Sequence, residues 1–273
     1  MLKKRLIPII LIKNGFLVQS KNFQFHQRLG HPIDAVKRLS EWCSDELILL
    51  DISPDNNYST NRDDHQNKNF GDFLPIVEEL SKVTFMPITV GGKIKNLIDV
   101  EKRFEFGADK VCLNSAPYKD PKIIYQIAKE FGSQSLVISV DVRFINDKYV
   151  IFHQNGKLRS RYGLIEWLKI IQDNGAGEVL IKSMDRDGQK LGQDLNLIKI
   201  LDKVCKIPII TCGGVGKWED FYEVFNETNV SAVAASNIFH HSDQSVYEAK
   251  RYIYEKKINI RKPELLNIKN DLL

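Results

Sequence analysis

Hydrophobic residues in this chain are concentrated in eight short continuous runs, and most runs are followed by an amphipathic stretch with helical spacing. The runs lie at residues 6–12, 47–52, 87–90, 110–113, 136–142, 179–181, 208–211 and 232–235. A continuous apolar run predicts a strand that is buried on both faces, as in a parallel sheet. The order of runs and stretches therefore predicts repeated β-then-α units.

Local signals mark the ends of the intervening helices. Asp34 precedes the amphipathic segment AVKRLSEW, and Asp120 precedes a proline that suits a first helical turn. Helices are predicted to end just before the next strand at Gly107, Gly132 and Gly175. Eight such units fit either a closed barrel or an open doubly wound sheet.

Two halves of the chain resemble each other, which favours the closed barrel. RLIPIILIK from Arg5 aligns with SLVISVDVR from Ser135, and ELILLD from Glu46 aligns with EVLIKS from Glu178. PITVGG and PIITCGG follow in the same order. An open sheet usually has one dominant glycine-rich turn after its first strand, whereas glycine pairs here follow the third and seventh runs. We predict a (β/α)8 TIM barrel formed from two half-barrels.

Two segments depart from this pattern. Residues 55–71 are polar and without periodicity, which is typical of a long loop after the second strand. Residues 258–273 follow the last expected barrel helix and are predicted to be a tail that docks on a neighbour or frays. The chain is therefore expected to be one domain, a barrel over residues 1–257 with a C-terminal tail.

Composition narrows the function classes. A hydrophobic content of 43% in 273 residues supplies a large buried core, which excludes a disordered chain. The net charge of +4 comes from basic residues scattered among acids, so nucleic-acid binding is not predicted. The four cysteines have no CxxC or Cys/His spacing, which is typical of small buried hydrophobic side chains in a reducing compartment without a structural metal. No cofactor is expected.

The amino terminus has basic residues before an apolar run, as a signal peptide does. The run is short, contains Pro8 and is followed by Lys13-Asn14-Gly15 without a small-residue cleavage site, so a buried strand explains it better. No apolar run approaches the roughly 20 residues that span a bilayer. We expect a cytoplasmic protein that does not interact with membranes.

Glycine pairs stand at two strand ends, where a TIM barrel has its active site. Gly91-Gly92 and Gly213-Gly214 either make tight turns or let backbone N–H groups bind phosphate. Because the pairs occupy matching places in the two halves, two phosphate sites are favoured. Hydroxyl and amide donors stand nearby at Asn114, Ser115, Ser236 and Asn237.

Carboxylates follow several strands at the same end of the barrel. Asp141 ends the fifth run and is interpreted either as a general acid or base or as an ion-pair partner of Arg143 or Lys182. Its place in the barrel mouth favours the catalytic interpretation. The segment SMDRDG at residues 183–188 is either a ligand-binding loop or a solvated turn, and Asp51 is either a site residue or a cap of its own loop.

Charged residues also stand at the beginnings of four strands, at the opposite end of the barrel. They are Arg5, Glu46, Lys110 and Glu178. Two cations and two anions on a barrel floor have to pair to offset their desolvation. The set either plugs the floor or forms a gate that a small polar molecule crosses.

The chain resembles the cyclase subunit family of imidazole glycerol phosphate synthase over residues 2–253. The resemblance rests on RLIP, DELILLDI, PITVGG, GADKVCLNSA, FGSQ, VDV, GAGEVLIKSMDRDG and the late GG…AAS…FH. It implies a barrel that binds a ligand with two phosphates and receives ammonia through its core from a glutaminase at the amino-terminal face. The implied phosphate contacts are Asn114, Ser115, Asp187, Gly188, Gly214 and Ser236. The four floor residues match the family's ammonia gate, and Asp109 matches a position near the partner interface.

Several positions depart from the family pattern. The family catalyses with two aspartates at equivalent places in the two halves; the second is Asp141, but the first falls on Leu11. A leucine cannot transfer a proton, so efficient cyclase (lyase) activity of the chain's own is not expected. Gln19 replaces a phosphate-binding lysine, Lys93 replaces the third glycine of a GGG turn, and Lys182 replaces a small hydroxyl residue.

A retained gate with a rewritten mouth resembles the divergent paralogues associated with surface-polysaccharide (lipopolysaccharide) genes. The resemblance implies that ammonia is passed to an ATP-dependent sugar amidotransferase at the carboxyl-terminal face, which makes acetamidino sugars. The new lysines are then expected to face an acidic partner surface or a phosphorylated sugar. One alternative is an active cyclase of histidine biosynthesis, which forms imidazole glycerol phosphate and AICAR from PRFAR and ammonia. Another is a non-enzymatic scaffold barrel.

Overall fold

The computed structural model describes residues 2–54, 58 and 70–265. Its strands are β1 (Arg5–Lys13), β2 (Phe16–Lys21), β3 (Phe25–Gly30), β4 (Leu47–Asp51), β5 (Ile88–Gly91), β6 (Lys110–Leu113), β7 (Leu136–Ile145), β8 (Lys148–His153), β9 (Leu158–Arg159), β10 (Glu178–Ser183), β11 (Ile209–Cys212) and β12 (Ala232–Ala235). Eight of them pair in parallel in the order β1-β4-β5-β6-β7-β10-β11-β12 and back to β1. The predicted (β/α)8 barrel is therefore confirmed, with each predicted run on one barrel strand.

Two antiparallel hairpins at the carboxyl ends of barrel strands were not predicted. β1 turns at Asn14-Gly15 into β2 and β3, and β7 turns at Asn146-Asp147 into β8 and β9. All four turn residues have positive φ, from 47° to 83°, as hairpin turns that match the strand twist require. The hairpins extend the two strands that align in the internal repeat, so the half-barrel relation includes them.

Helices cover the outside of the barrel. They are α1 (Pro32–Glu41), α2 (Phe73–Val83), α3 (Leu97–Glu105), α4 (Ala116–Lys119), α5 (Lys122–Phe131), α6 (Leu164–Asp173), α7 (Leu195–Val204), α8 (Trp218–Glu227) and α9 (Ser245–Glu255). The Asp120 side chain accepts a hydrogen bond from the Lys122 amide, but α5 begins at Lys122 with Pro121 as its N-cap, one residue later than predicted. Asp34 was the wrong start for α1, because the helix already begins at Pro32, where a proline fits the first turn.

The apolar core has two parts. The larger lies between the barrel and its helices, and includes Trp167 and Phe221, both fully buried. The smaller lies inside the barrel and consists of Ile7, Ile9, Ile48, Leu50, Cys112, Val137, Leu180, Ile210, Ala232 and Ala234, with Leu11 and Cys212 packed against it. Successive side chains of each barrel strand point alternately into the two parts of the core. The barrel axis is therefore lined by small and branched apolar side chains above a charged floor.

The chain beyond α9 returns to the floor end of the barrel. The Lys4 amide donates to the Asn259 carbonyl at 2.8 Å, and Ile260 is buried. Residues 266–273 and most of the predicted loop at 55–71 lie outside the described residues. The domain limits given above remain predictions. None of the helices described is both long and apolar enough to span a bilayer.

Candidate functional site

The four charged floor residues form a closed ring of alternating charge. Arg5 pairs with Glu46 at 2.5 Å and with Glu178 at 2.8 Å. Lys110 completes the ring, 2.8 Å from Glu178 and 3.2 Å from Glu46. Strand-initial positions that are far apart in sequence are brought together because the strands are parallel and the barrel closes. Each side chain is at most 20% exposed, so the ring spans the floor largely shielded from solvent.

The charges of the ring stabilise one another. Burial raises the pKa of Glu178, but the Arg5 guanidinium and the Lys110 ammonium lower it by more, and the net pKa lies below that of a free glutamate. Burial lowers the pKa of Arg5 and its two glutamate partners raise it by more. Arg5 and Glu178 therefore stay ionised at neutral pH. This geometry suits both the plug and the closed gate.

Asp109, the predicted partner-interface residue, lies beside the ring at the start of β6. Its side chain is exposed and accepts a hydrogen bond from the Ile88 amide at 2.8 Å. It therefore both caps β5 and presents a negative charge at the floor end of the barrel.

At the opposite end, Asp141 is held by an ion pair. Its carboxylate lies 3.0 Å from the Lys182 ammonium and accepts a hydrogen bond from the Asn114 amide at 3.2 Å. Burial lowers the pKa of Lys182, but Asp141 raises it by more, so Lys182 stays cationic. Arg143, the other predicted partner, pairs instead with Asp185 at 3.2 Å.

Leu11 lies on β1, opposite β7 in the closed barrel, and packs against the inner core. The neighbouring buried carboxylate, Asp51, is also engaged. It accepts hydrogen bonds from Ser53 and from the Tyr58 hydroxyl, and it pairs with Lys93 at 3.2 Å. Asp51 therefore caps its own loop, which is the second of the two roles considered from the sequence. Each of the two mouth aspartates that the structure describes as buried, Asp51 and Asp141, thus has a lysine partner.

A cavity of about 820 Å³ opens at this mouth. Asn114, Ser115 and Asp141 line it together with Lys93 and Lys182. It reaches down to Ser139, which lies one interior position below Asp141 on β7. The Ser139 hydroxyl has no hydrogen-bond partner among the described residues. Sequence reasoning did not single out Ser139, because a serine in an apolar strand is usually structural.

Two further implied phosphate contacts, Asp187 and Gly188, do not line this cavity and lie against the first hairpin. The Asp187 carboxylate accepts hydrogen bonds from the Ser20 hydroxyl at 2.7 Å and from the Phe23 amide at 3.0 Å. A Cβ at Gly188 would lie 2.5 Å from the Ser20 carbonyl oxygen, so the hairpin touches the loop after β10. The Phe23 ring lies 5.3 Å from the Lys182 ammonium.

Gly214 and Ser236, the remaining implied phosphate contacts, also have partners within the protein. The Gly214 carbonyl accepts a hydrogen bond from the Gly192 amide at 2.9 Å, and the Ser236 hydroxyl lies 3.5 Å from the His240 ring. Gln19, at the position of the family's lysine, donates to Gln27 within the hairpin. The structure thus places Asn114 and Ser115 in the open cavity and Asp187 and Gly188 against the hairpin, while Gly214 contacts the loop after β10 and Ser236 the segment after β12.

The pH dependence of folding should report on His240. Burial, and then the positive charges of His241 and Arg38, lower the pKa of His240 from 6.5 to about 4. The folded state therefore binds fewer protons than the unfolded state between pH 6.5 and 4, and stability is lost as the pH falls through that window. We expect the loss from this group to reach about 2–3 kcal/mol, and His240→Gln to remove it. Urea unfolding of both proteins at pH 7 and pH 4.5 measures the difference; parallel pH curves would contradict the assignment.

Comparisons with known proteins agree with this geometry. A family model described as "Histidine biosynthesis protein" matches residues 5–245. Imidazole glycerol phosphate synthase subunit HisF of Natranaerobius thermophilus is 36% identical over 261 residues, which cover 96% of this chain and 100% of the relative. The proteins of the same name from Hydrogenobaculum sp. and Bacillus cereus are 35% and 36% identical over 262 residues, with the same coverage. In the part of the chain that the structure describes, no three His, Cys, Asp or Glu side chains are placed to hold a metal ion.

Proposed function

Because this chain belongs to the histidine biosynthesis protein family and is an imidazole glycerol phosphate synthase cyclase-like barrel, we propose that it conducts ammonia without performing the cyclisation. A glutaminase docked at the floor end supplies the ammonia, which crosses the ring of Arg5, Glu46, Lys110 and Glu178. The ammonia leaves at the mouth towards a sugar amidotransferase that makes acetamidino sugars for surface polysaccharide.

The observation that supports the proposal most is the ion pair of Asp141 with Lys182, opposite Leu11. Cyclisation in the family uses two carboxylates at these places, and here one is absent and the other is bound to a cation. Both carboxylate oxygens of Asp141 already have protein partners, Oδ1 the Lys182 ammonium and Oδ2 the Asn114 side-chain amide. The floor ring, by contrast, has every charge of the family's gate in direct contact.

The barrel interior also supports a route for a small neutral molecule. Between the floor ring and Ser139 the axis is lined by Ala232, Ala234, Thr89 and Cys112 among larger apolar residues. Small side chains leave room for a molecule of ammonia's size after modest side-chain motion. An apolar lining admits neutral ammonia and disfavours ammonium, because an unpaired charge there would lose its hydration.

An active histidine-pathway cyclase is the second candidate, because the relatives bear the name of the imidazole glycerol phosphate synthase subunit. The comparisons are equally consistent with both candidates, since both share the barrel. They differ in one measurable property, the turnover of PRFAR with ammonia.

The glutaminase interaction tests the proposal directly. Mixing the purified protein with its cognate glutaminase should raise the rate of glutamine hydrolysis at least about tenfold, which corresponds to an activation barrier lowered by about 1.4 kcal/mol. Asp109→Asn keeps an acceptor for the Ile88 amide but removes the exposed charge at the floor end, so it should weaken the complex. Asp243→Asn, an exposed aspartate after β12 at the mouth end, is the matched control. Unchanged hydrolysis on mixing would contradict the proposal.

A further inference from the structure

The second hairpin, formed by the end of β7 with β8 and β9, carries an excess of positive charge. Residues 143–161 contain five lysines and arginines and one aspartate. Their net charge of +4 equals that of the entire chain, so the rest of the chain is neutral overall. Positive charge concentrated at one place creates a local potential that attracts an acidic partner.

The register of the hairpin places three of its cations on one face. Side chains of successive residues alternate between the two faces of a strand, so Arg143 shares the face of Asp141, which lines the cavity. Phe152 lies opposite Asp141, and Arg159 lies opposite Phe152. The residues of this face, which we call the basic face, are Arg143, Ile145, Lys148, Val150, Phe152 and Arg159. The basic face therefore continues the inner wall of the barrel beyond the mouth.

The carboxylates around the hairpin are mostly engaged in local contacts. Asp185 pairs with Arg143 at 3.2 Å. Asp194 accepts a hydrogen bond from the Tyr149 hydroxyl at 3.1 Å, and Glu166 accepts one from the backbone just before α6 at 3.2 Å. These three acids therefore neutralise only a small part of the positive charge of the hairpin.

Most cations of the hairpin lack a carboxylate partner. Of the five, only Arg143 forms an ion pair within the part of the chain that the structure describes. The other four are exposed, and they are Lys148, Lys157, Arg159 and Arg161. Asp147, the one acid of the hairpin, is exposed in the turn between β7 and β8. This arrangement is complementary to a surface that supplies several carboxylates.

Apolar side chains accompany the cations. Phe144 and Leu158 are about half exposed, and so is Ile165 at the start of α6. On the basic face itself, Val150 and Phe152 are partly exposed. Aromatic and arginine side chains are enriched in protein interfaces, whereas single-stranded nucleic acids stack on aromatic rings and gain little from leucine or isoleucine. The mixture therefore favours a protein as the partner.

The hairpin stands at the opening of the cavity of about 820 Å³. Gln154 and Asn155, which follow β8, line this cavity. A Cβ at Gly156 would lie 3.5 Å from the Phe23 ring, so the second hairpin contacts the first one. A protein docked on the basic face therefore lies at the place where a small molecule leaves the mouth.

We propose that the basic face, with Lys157 and Arg161 beside it, docks the acidic surface of a second enzyme, which takes up the ammonia that leaves the mouth. The inference rests on the proposed function, and it adds the surface of this chain that the acceptor enzyme meets and the charge of that enzyme. Opposite charges speed the encounter of the two proteins, and the apolar side chains bury surface once they are in contact.

Binding of the purified cognate sugar amidotransferase to the full-length protein, measured by biolayer interferometry, tests this inference. Lys148→Glu combined with Arg159→Glu should weaken binding at least about tenfold, which corresponds to about 1.4 kcal/mol. Raising the NaCl concentration from about 50 mM to about 300 mM should also weaken wild-type binding, because salt screens exposed charges. A urea midpoint of the double variant equal to that of the wild type assigns the loss to the surface rather than to unfolding.

The matched control is Lys37→Glu combined with Lys129→Glu. It makes the same change of charge at exposed positions of α1 and α5, away from the hairpin, and should change the affinity by less than about twofold.

Three outcomes would overturn the inference. Amidotransferase binding that is equal in the double variant and the control would place the docking surface elsewhere and leave the ammonia route intact. No binding up to roughly 50 µM, with a preparation that still activates the glutaminase, would exclude this enzyme as the occupant. Binding of a single-stranded DNA of about 20 nucleotides, or self-association of the protein alone, that only the double variant loses would identify a different occupant. Glutaminase activation is measured at the floor end, so the two proposals fail separately.

Discussion

With saturating ammonium salt, the purified protein is expected to convert PRFAR to imidazole glycerol phosphate roughly 10²–10⁴-fold more slowly than the Natranaerobius thermophilus relative assayed in parallel. The physical reason is the loss of one proton-transfer group at Leu11 and the ion pair of the other, Asp141, with Lys182. Ammonium salt supplies the nucleophile directly, so a deficit cannot be assigned to a missing glutaminase. Product formation is followed by chromatography of the imidazole product.

Restoring the carboxylate tests whether these residues cause the deficit. Leu11→Asp combined with Lys182→Thr removes the competing cation and replaces the missing group, and it should raise turnover at least about 10²-fold. Leu11→Asn with Lys182→Thr is the matched control, since an amide has the same shape but transfers no proton. Wild-type turnover comparable to that of the relative, and abolished by Asp141→Asn, would instead establish the histidine-pathway cyclase.

The floor ring shows what a sequence can predict in a barrel. Arg5, Glu46, Lys110 and Glu178 have no local relation, but each stands where a predicted strand begins. Once the strands are parallel and the sheet is closed, residues at the same end must converge. The same reasoning places Asp141 and Lys182 next to each other, because they occupy matching positions on neighbouring strands, and the structure pairs them in register.

The first hairpin shows where such reasoning stops. Its turn had a local signal in Asn14-Gly15, which is typical of a two-residue hairpin loop. Its contact with Asp187 had none, because Ser20 and Asp187 are far apart in sequence and their hydrogen bond depends on how the hairpin folds over the mouth. The two similar halves of the sequence therefore predicted two similar phosphate sites, whereas the structure places Asn114 and Ser115 in the cavity and Asp187 against the hairpin.

A buried lysine at the floor end was missed for a similar reason. Lys250 looks like one more charge on an amphipathic helix, yet its side chain is fully buried in the structure. Its ammonium lies 2.6 Å from the Asp45 carboxylate and donates to the Cys43 carbonyl at 2.9 Å. Asp45 precedes β4 and also accepts a hydrogen bond from the Leu6 amide at 2.9 Å. The pair therefore joins the last helix to the first two barrel strands.

Replacing Asp45 with alanine is expected to reduce the free energy of unfolding by about 3–5 kcal/mol, among the largest effects of any single substitution in this chain. The change leaves the Lys250 ammonium buried without its counter-ion and removes the acceptor of the Leu6 amide. Asp45→Asn with Lys250→Met keeps that acceptor and removes both charges, so it should recover most of the loss. Urea unfolding measures each value.

Glu227→Ala, which breaks the exposed pair with Lys199, is the control and should cost less than about 1 kcal/mol. If Asp45→Ala costs no more than that control, the buried pair does not join α9 to β1 and β4, and the packing of α9 alone must do so.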